Sequence, residues 1–314
     1  MGVAADWRTS ETRSVKCLAI VGVLILPLAA DPPPQGVTNS VTGLTRFPGS
    51  ELVAAEWADG DSFSVRFPDG EARTIRLYGV DCLEWHVTDD TDSRRLRAQR
   101  RYFGIAEAGG SPDASIALAK GFGERAAMRV RELLEEPFTV HTKWADARGD
   151  GKFKRYYGFV ATGDGRDLAE QLAAEGLARA FGVCRQAPDG RSRDDYCECL
   201  RDLELAAAKQ GLGVWAKTDW EKLPEERRAE RQEAAELAAA RDGGKANPGT
   251  KVNPNTAARD ELMTLPGIGE ALANAIIEGR EDRRYLKPED LERVPKIGKK
   301  TVDGMKEWLE FGGR

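Results

Sequence analysis

Histidine is almost missing from this sequence: His86 and His141 are the only two among 314 residues. That excludes a histidine-rich metal centre, and the cysteines do not make up for it. The five (Cys17, Cys82, Cys184, Cys197 and Cys199) lack the paired C-x-x-C knuckles of a structural zinc site. Charge of one sign is not in large excess either. A formal net charge of -5 does not by itself mark a polyanion binder, so local patches would have to decide any such contact. No apolar run is long enough to span a bilayer comfortably. The most hydrophobic stretch, Cys17 to Ala30, follows Arg8, Arg13 and Lys16 and ends in small residues before Asp31-Pro32-Pro33-Pro34. That is the layout of a secretory signal, with cleavage expected after Ala30 and no stable membrane span afterwards; an uncleaved anchor is the alternative. No long tract lacks apolar residues. A hydrophobic fraction of 41% suffices for a buried core, and a prior of about 150 residues per domain suggests about two domains.

What is present centres on Asp59 to Glu84. Asp59-Gly60-Asp61 leads into the alternating run Ser62-Phe63-Ser64-Val65-Arg66-Phe67, and Pro68-Asp69-Gly70 then turns the chain. A second run, Glu71 to Val80, ends in Asp81-Cys82-Leu83-Glu84. Two such runs around an Asp-Gly turn form a β-hairpin. Asp61, Asp81, Glu84 and Arg76 then fall at or near strand ends. Carboxylates so gathered repel one another, and a hard dication relieves the repulsion best.

This stretch resembles the staphylococcal nuclease-like (thermonuclease) family, whose signature is a D-G-D turn followed by R-L-x-G-[IV]-D-x-P-E. Here it reads Asp59-Gly60-Asp61 and Arg76-Leu77-Tyr78-Gly79-Val80-Asp81-Cys82-Leu83-Glu84, with Leu83 where relatives usually have Pro. The family's second arginine, usually within Y-G-R, falls on Arg155, with Lys154 in place of the glycine. Tyrosines that can follow the G-L-A segment are replaced by Gly182 and Cys184. The resemblance implies an α+β fold: a five-stranded OB-fold barrel with packed helices. It also implies that Asp61, Asp81 and the backbone carbonyl of Cys82 hold Ca²⁺. Arg76 and Arg155 would grip the phosphate of the transition state, and Glu84 would orient or deprotonate the attacking water. Products would carry a 3′-phosphate and a 5′-hydroxyl.

Around this core, residues 31–50 read as an extended lead-in and Leu52–Trp57 as a first strand. Trp85–Pro112 is an insertion whose arginines (Arg94, Arg95, Arg97, Arg100, Arg101) lie beside Tyr102 and Phe103. Such a run can guide nucleic acid or form a solvated, ion-paired helix. A helix closing near Glu136-Pro137, strands at Phe138–Trp144 and Phe153–Thr162, and helices at Asp167–Ala174 and Tyr196–Gln210 follow, the last packing through Leu200, Leu203 and Leu205. Export would leave four cysteines and three possible pairings; Cys184 with Cys197 or Cys199 is favoured. Residues 221–250 read as a charged, part-helical and part-flexible linker between a nuclease-like domain (51–220) and a terminal module (251–314).

That module holds a duplication: Leu265-Pro266-Gly267-Ile268-Gly269 is echoed by Val294-Pro295-Lys296-Ile297-Gly298. It resembles the tandem helix-hairpin-helix domain of DNA-uptake proteins, a small all-α unit. Its glycines let the hairpin approach a phosphate, and the next helix begins with free N–H groups. Pro266, Gly267, Ile268, Gly269, Lys296, Ile297, Gly298, Lys299 and Lys300 are the candidate DNA contacts, without base reading. Lys296, Lys299 and Lys300 make the second hairpin the stronger, since the first offers Glu270. The whole reads as an exported Ca²⁺-dependent nuclease of DNA, with RNA as a further substrate class. Single strand would occupy the active site and duplex the tail. The alternative is a non-catalytic DNA-binding or uptake protein on the same fold.

Overall fold

The structure, a computed structural model, describes residues 36–147, 154–243, 251–257 and 259–312. The signal segment and the Gly149-Asp150-Gly151 turn lie outside the described residues. The lead-in is not featureless. Val37–Thr38 is β1, and β2 runs over Thr45–Val53, earlier than the expected Leu52–Trp57. β3 is Ser62–Arg66, β4 is Ala72–Leu77 and β5 is Val80–Cys82. The helices α1 (Asp90–Tyr102) and α2 (Pro112–Leu133) precede β6 (Phe138–Asp146) and β7 (Arg155–Ala161).

Five strands close on themselves in the order β2-β3-β4-β7-β6, with β6 returning to β2. The β4–β7 pair is parallel and the rest are antiparallel. Closure depends on β2 serving two neighbours: Thr45–Ser50 pairs with β6 and Glu51–Val53 with β3. The corner is Gly49, where the register shifts and φ is +73°, a conformation that glycine reaches without steric cost. Phe63, Val65, Ile75, Leu77, Val140 and Val160 fill the interior, all almost fully buried. Burying each large apolar side chain contributes about 1.5–3 kcal/mol, so alternation along β3 and β4 fixes which face turns inward.

Around the barrel lie α3 (Leu168–Ala174), the short β8 (Ala178–Ala180) paired with β5, and α4 (Arg193–Gln210). Asp89, Ser111, Asp167 and Ser192 cap the four helices α1 to α4 through their side chains. α4 packs through Leu200, whereas Leu205 is exposed, against expectation, because it lies on the outer face of the helix. A disulfide joins Cys184 to Cys197, and Cys82 and Cys199 are unbonded.

α5 (Leu223–Gly243) was expected as a spacer, but it lies along α1. Arg97 and Arg101 pair with Glu233 at 2.6 and 2.5 Å, and Arg101 also pairs with Glu230 at 3.0 Å. The tail holds α6 (Arg259–Leu262), α7 (Glu270–Asp282) and α8 (Lys299–Met305). Between α7 and α8 lies a 3-10 turn, Pro288–Arg293. α7 docks on the barrel side. Glu281 pairs with Arg185 at 3.0 Å, Glu278 accepts the Cys184 N–H at 2.9 Å, and Lys143 Nζ donates to the Glu281 carbonyl at 2.9 Å. The tail is therefore seated on its neighbour. Among the described residues, no helix is long and apolar enough to cross a membrane.

Candidate active site

The charged residues of the hairpin meet on the outside of the barrel. Phe63 and Ile75 point inward, so their neighbours Ser62 and Arg76 point outward as cross-strand partners. Strand parity would put Asp61 inward with Phe63. Asp61 instead lies in the bend before β3, and its carboxylate turns out to accept the Cys82 N–H at 2.9 Å. The bend is tight: a side chain on Gly60 would meet Ala126 of α2 and the Cys82 sulfur, both at 2.7 Å. Asp81 is returned to the same place by Gly79 (φ +76°), where a Cβ would collide with Leu200.

Arg76 is the hub. Its Nη1 lies 2.9 Å from Asp61 and its Nη2 lies 3.0 Å from Asp81, so one fork bridges both carboxylates. Burial opposes the charge on Arg76, but Asp61 and Asp81 more than offset that and hold the guanidinium well above its ordinary value. Asp81 is also buried, yet Arg179, Arg95 and Arg76 hold its carboxyl well below the usual range. Glu84 goes the other way. Burial, with Asp61 and Asp81 nearby, pushes it up to about 7 against the pull of Arg95. Asp59 is pushed well above its ordinary value by burial and by the like charges of Asp61 and Glu84.

Arg155 opens β7 opposite Thr74, two residues from the Arg76–Tyr157 pair, and so shares the outer face with Arg76. Burial, then Arg76 and Arg95, push its guanidinium below the ordinary value. These guanidiniums repel one another beside the acids, and an incoming anion relieves that repulsion.

The oxygens also bear on a metal. Asp61 and Asp81 meet at the Arg76 fork, and the Gln99 amide joins Asp81 to the Cys82 carbonyl, while burial and like charges raise Asp59. Among the described residues no group of three or more His, Cys, Asp or Glu is placed to hold an ion. An ion here would thus take two carboxylates, a carbonyl and water. That all-oxygen donor set fits a hard cation and not zinc. Each donor is already engaged: Asp61 and Asp81 by Arg76, and the Cys82 carbonyl by the Gln99 amide at 2.7 Å.

Residues 74–217 match the family of staphylococcal nuclease homologues. They form a staphylococcal nuclease homologue domain. Residues 247–310 match the helix-hairpin-helix motif, so the chain joins a nuclease-family domain to a DNA-binding one. No curated protein matches the chain. The match to the nuclease homologues begins at Thr74, and the fold adds β3 and Asp61 from outside it.

In the tail, Gly269 and Gly298 stand at the N-caps of α7 and α8, and neither helix start has a side-chain cap. Gly267 and Lys296 occupy equivalent hairpin positions with φ of +76° and +70°. Lys299 and Lys300 are exposed. Ile268 and Ile297 are buried in the tail core, which leaves their backbone groups to face a phosphate. Pro266 is half-buried beside them.

Three residues of the nuclease-homologue site were missed from sequence. Arg179 binds Asp81 through Nε and Nη2 at 2.9 and 2.8 Å, between the rings of Tyr102 and Phe181. Arg95 reaches Glu84, and Gln99 reaches Asp81 at 2.8 Å. The i, i+4 spacing of Arg95 and Gln99 beside Leu96 was the available signal. Of the insertion's arginines, Arg95 turns to this site, Arg97 and Arg101 pair with α5, Arg100 donates to the Ser115 hydroxyl at 2.9 Å, and Arg94 is exposed.

Proposed function

We propose that the nuclease-homologue domain hydrolyses phosphodiester bonds of DNA, with RNA as a further substrate class, leaving 3′-phosphate and 5′-hydroxyl ends. The observation that carries this is the clustering of Arg76 and Arg155 on one outer face, beside a buried Glu84 and the Asp61–Asp81 pair. Arg76 and Arg155 would grip the scissile phosphate and stabilise charge that grows in the transition state. Arg76 would pass from the aspartates to the phosphate as substrate arrives. Glu84, held near neutrality by burial, would accept the proton of the attacking water. Ca²⁺ would be held by Asp61, Asp81 and the Cys82 carbonyl, where it supplies polarisation of the phosphate. The tail would hold duplex by its backbone through the two hairpins, raising the local concentration of substrate.

Export is part of the same proposal. The apolar run before Ala30 and the Cys184–Cys197 disulfide both support an oxidising compartment outside the cytosol. Plasmid digestion in Ca²⁺ or EDTA, with wild type and Glu84→Gln, tests the reading. It requires cleavage by the wild type in Ca²⁺, a strong loss in the variant, and 3′-phosphate ends. The second reading, a binder without turnover, is favoured by the engagement of both aspartates with the chain's own arginines. Retained DNA binding with no cleavage under either condition would establish it.

A further inference from the structure

The signature places a proline before the glutamate, and this chain has Leu83. Leu83 is 1% exposed and packs in one cluster with Leu96, Phe103 and Ile105, which belong to α1 and the segment after it. The leucine is thus the seat of the inserted helix. From that seat α1 turns two polar residues, one helical turn apart, onto Glu84. Arg95 Nη2 lies 2.5 Å from Glu84 Oε1 and 3.6 Å from Asp81 Oδ1. The side-chain oxygen of Gln99 accepts the Glu84 N–H at 2.9 Å, while its amide donates to the Asp81 carboxylate and the Cys82 carbonyl. Glu84 is therefore held at its backbone by Gln99 and at its carboxylate by Arg95. The opposite side of α1 pairs with Glu230 and Glu233 of α5 through Arg97 and Arg101.

We propose that α1 is a wall of the active site and that Arg95 is a positioning residue, fixing the Glu84 carboxylate for the attacking water. The proposal rests on the hydrolytic reading above. A proline would stiffen the turn that carries the glutamate. Here Leu83 gives up that stiffness to dock a helix, and the helix restores it by gripping the side chain itself. A glutamate has three rotatable side-chain bonds, and a displacement of about 1 Å at a reacting group can cost about 10²-fold in rate.

The test is a double-mutant cycle on the full chain with a short single-stranded oligonucleotide in Ca²⁺, reading kcat and KM separately. Arg95→Ala is expected to lower kcat by about 10²-fold with little change in KM. In a Glu84→Gln background the same substitution should add almost nothing, because its effect runs through the carboxylate. Arg95→Lys should recover part of the loss. Arg94→Ala, on the same helix but exposed, serves as the control and should match the wild type. If Arg95→Ala does not fold, Arg95→Lys carries the cycle. A kcat within twofold of wild type, or a loss that multiplies with that of Glu84→Gln, overturns the proposal and leaves the nuclease reading standing. A wild type inactive on every DNA substrate overturns both.

Discussion

Replacing Glu281 by Ala should loosen the tail from the barrel. The carboxylate sits 3.0 Å from Arg185, and the two side chains are only 12% and 10% exposed. Arg185 keeps one further bond, to the Thr42 carbonyl at 3.1 Å, so the deletion strands a largely desolvated guanidinium. Removing one partner of a buried pair costs about 3–5 kcal/mol, and the low end applies because some solvent reaches this one. Replacing both partners by leucine should cost much less, since no charge is left unpaired. Glu278, one turn away, still holds the Cys184 N–H at 2.9 Å, so the tail should loosen while remaining attached. Hydrogen exchange along α7 reads the effect directly. Its amides should exchange about 10²-fold faster in Glu281→Ala, the equivalent of about 3 kcal/mol. A companion assay compares kcat/KM on long duplex with that on a short single strand, and only the former should fall. Unchanged exchange in α7, or a loss below about 1 kcal/mol, would refute the clasp and restore a freely tethered tail.

Other outcomes follow from single residues. Burial and then Arg46 depress His141 to about 4, below its ordinary value, so the native state keeps it neutral. Stability should be full above about pH 6.5 and be lost as pH falls toward 4, and His141→Gln should flatten that part of a Tm-against-pH curve. Lys296 holds a left-handed backbone at φ +70°, which costs a residue with a Cβ about 1 kcal/mol. Lys296→Gly should therefore stabilise the tail slightly while weakening duplex binding and reducing the slope of log K against log salt by about 1, read by titration at several salt concentrations. The Cys184–Cys197 bond closes a loop with a sequence separation of 13, so the paired Cys→Ser variant should lose about 3 kcal/mol in chemical denaturation. An unfolding midpoint unchanged by these serines would mean that the loop is already held by α4 and α7.

Local chemistry was legible in the residues themselves. Alternation in Ser62–Phe67 and Thr74–Leu77 named the faces of β3 and β4, and the Asp-Gly turn between them marked where one ends and the other begins. The two halves of the chain and their families were legible for the same reason, because each signature is a run of neighbours along the sequence. Arg76, Asp81 and Glu84 lie within one short stretch of sequence, so their nearness was legible, whereas strand parity alone did not place Arg76 beside Asp61 and Asp81.

Long-range partnership was not legible. Arg95, Gln99 and Arg179 lie 11, 15 and 95 residues after Glu84. Only docking of α1 on Leu83, and pairing of β8 with β5, brings them to the same carboxylates. The charged segment after residue 220 looked like a linker because its acids have no apolar stripe to announce a packed face. They pack by ion pairs to α1, and the fold alone supplies those partners. The tail's seat has the same origin, since Glu278 and Glu281 read as ordinary helix-surface acids until Arg185 and Cys184 face them. Sequence determined what each segment is, because backbone preference and periodicity act over a few residues. Tertiary structure decided which charges meet, because an ion pair is set by distance in space and not along the chain.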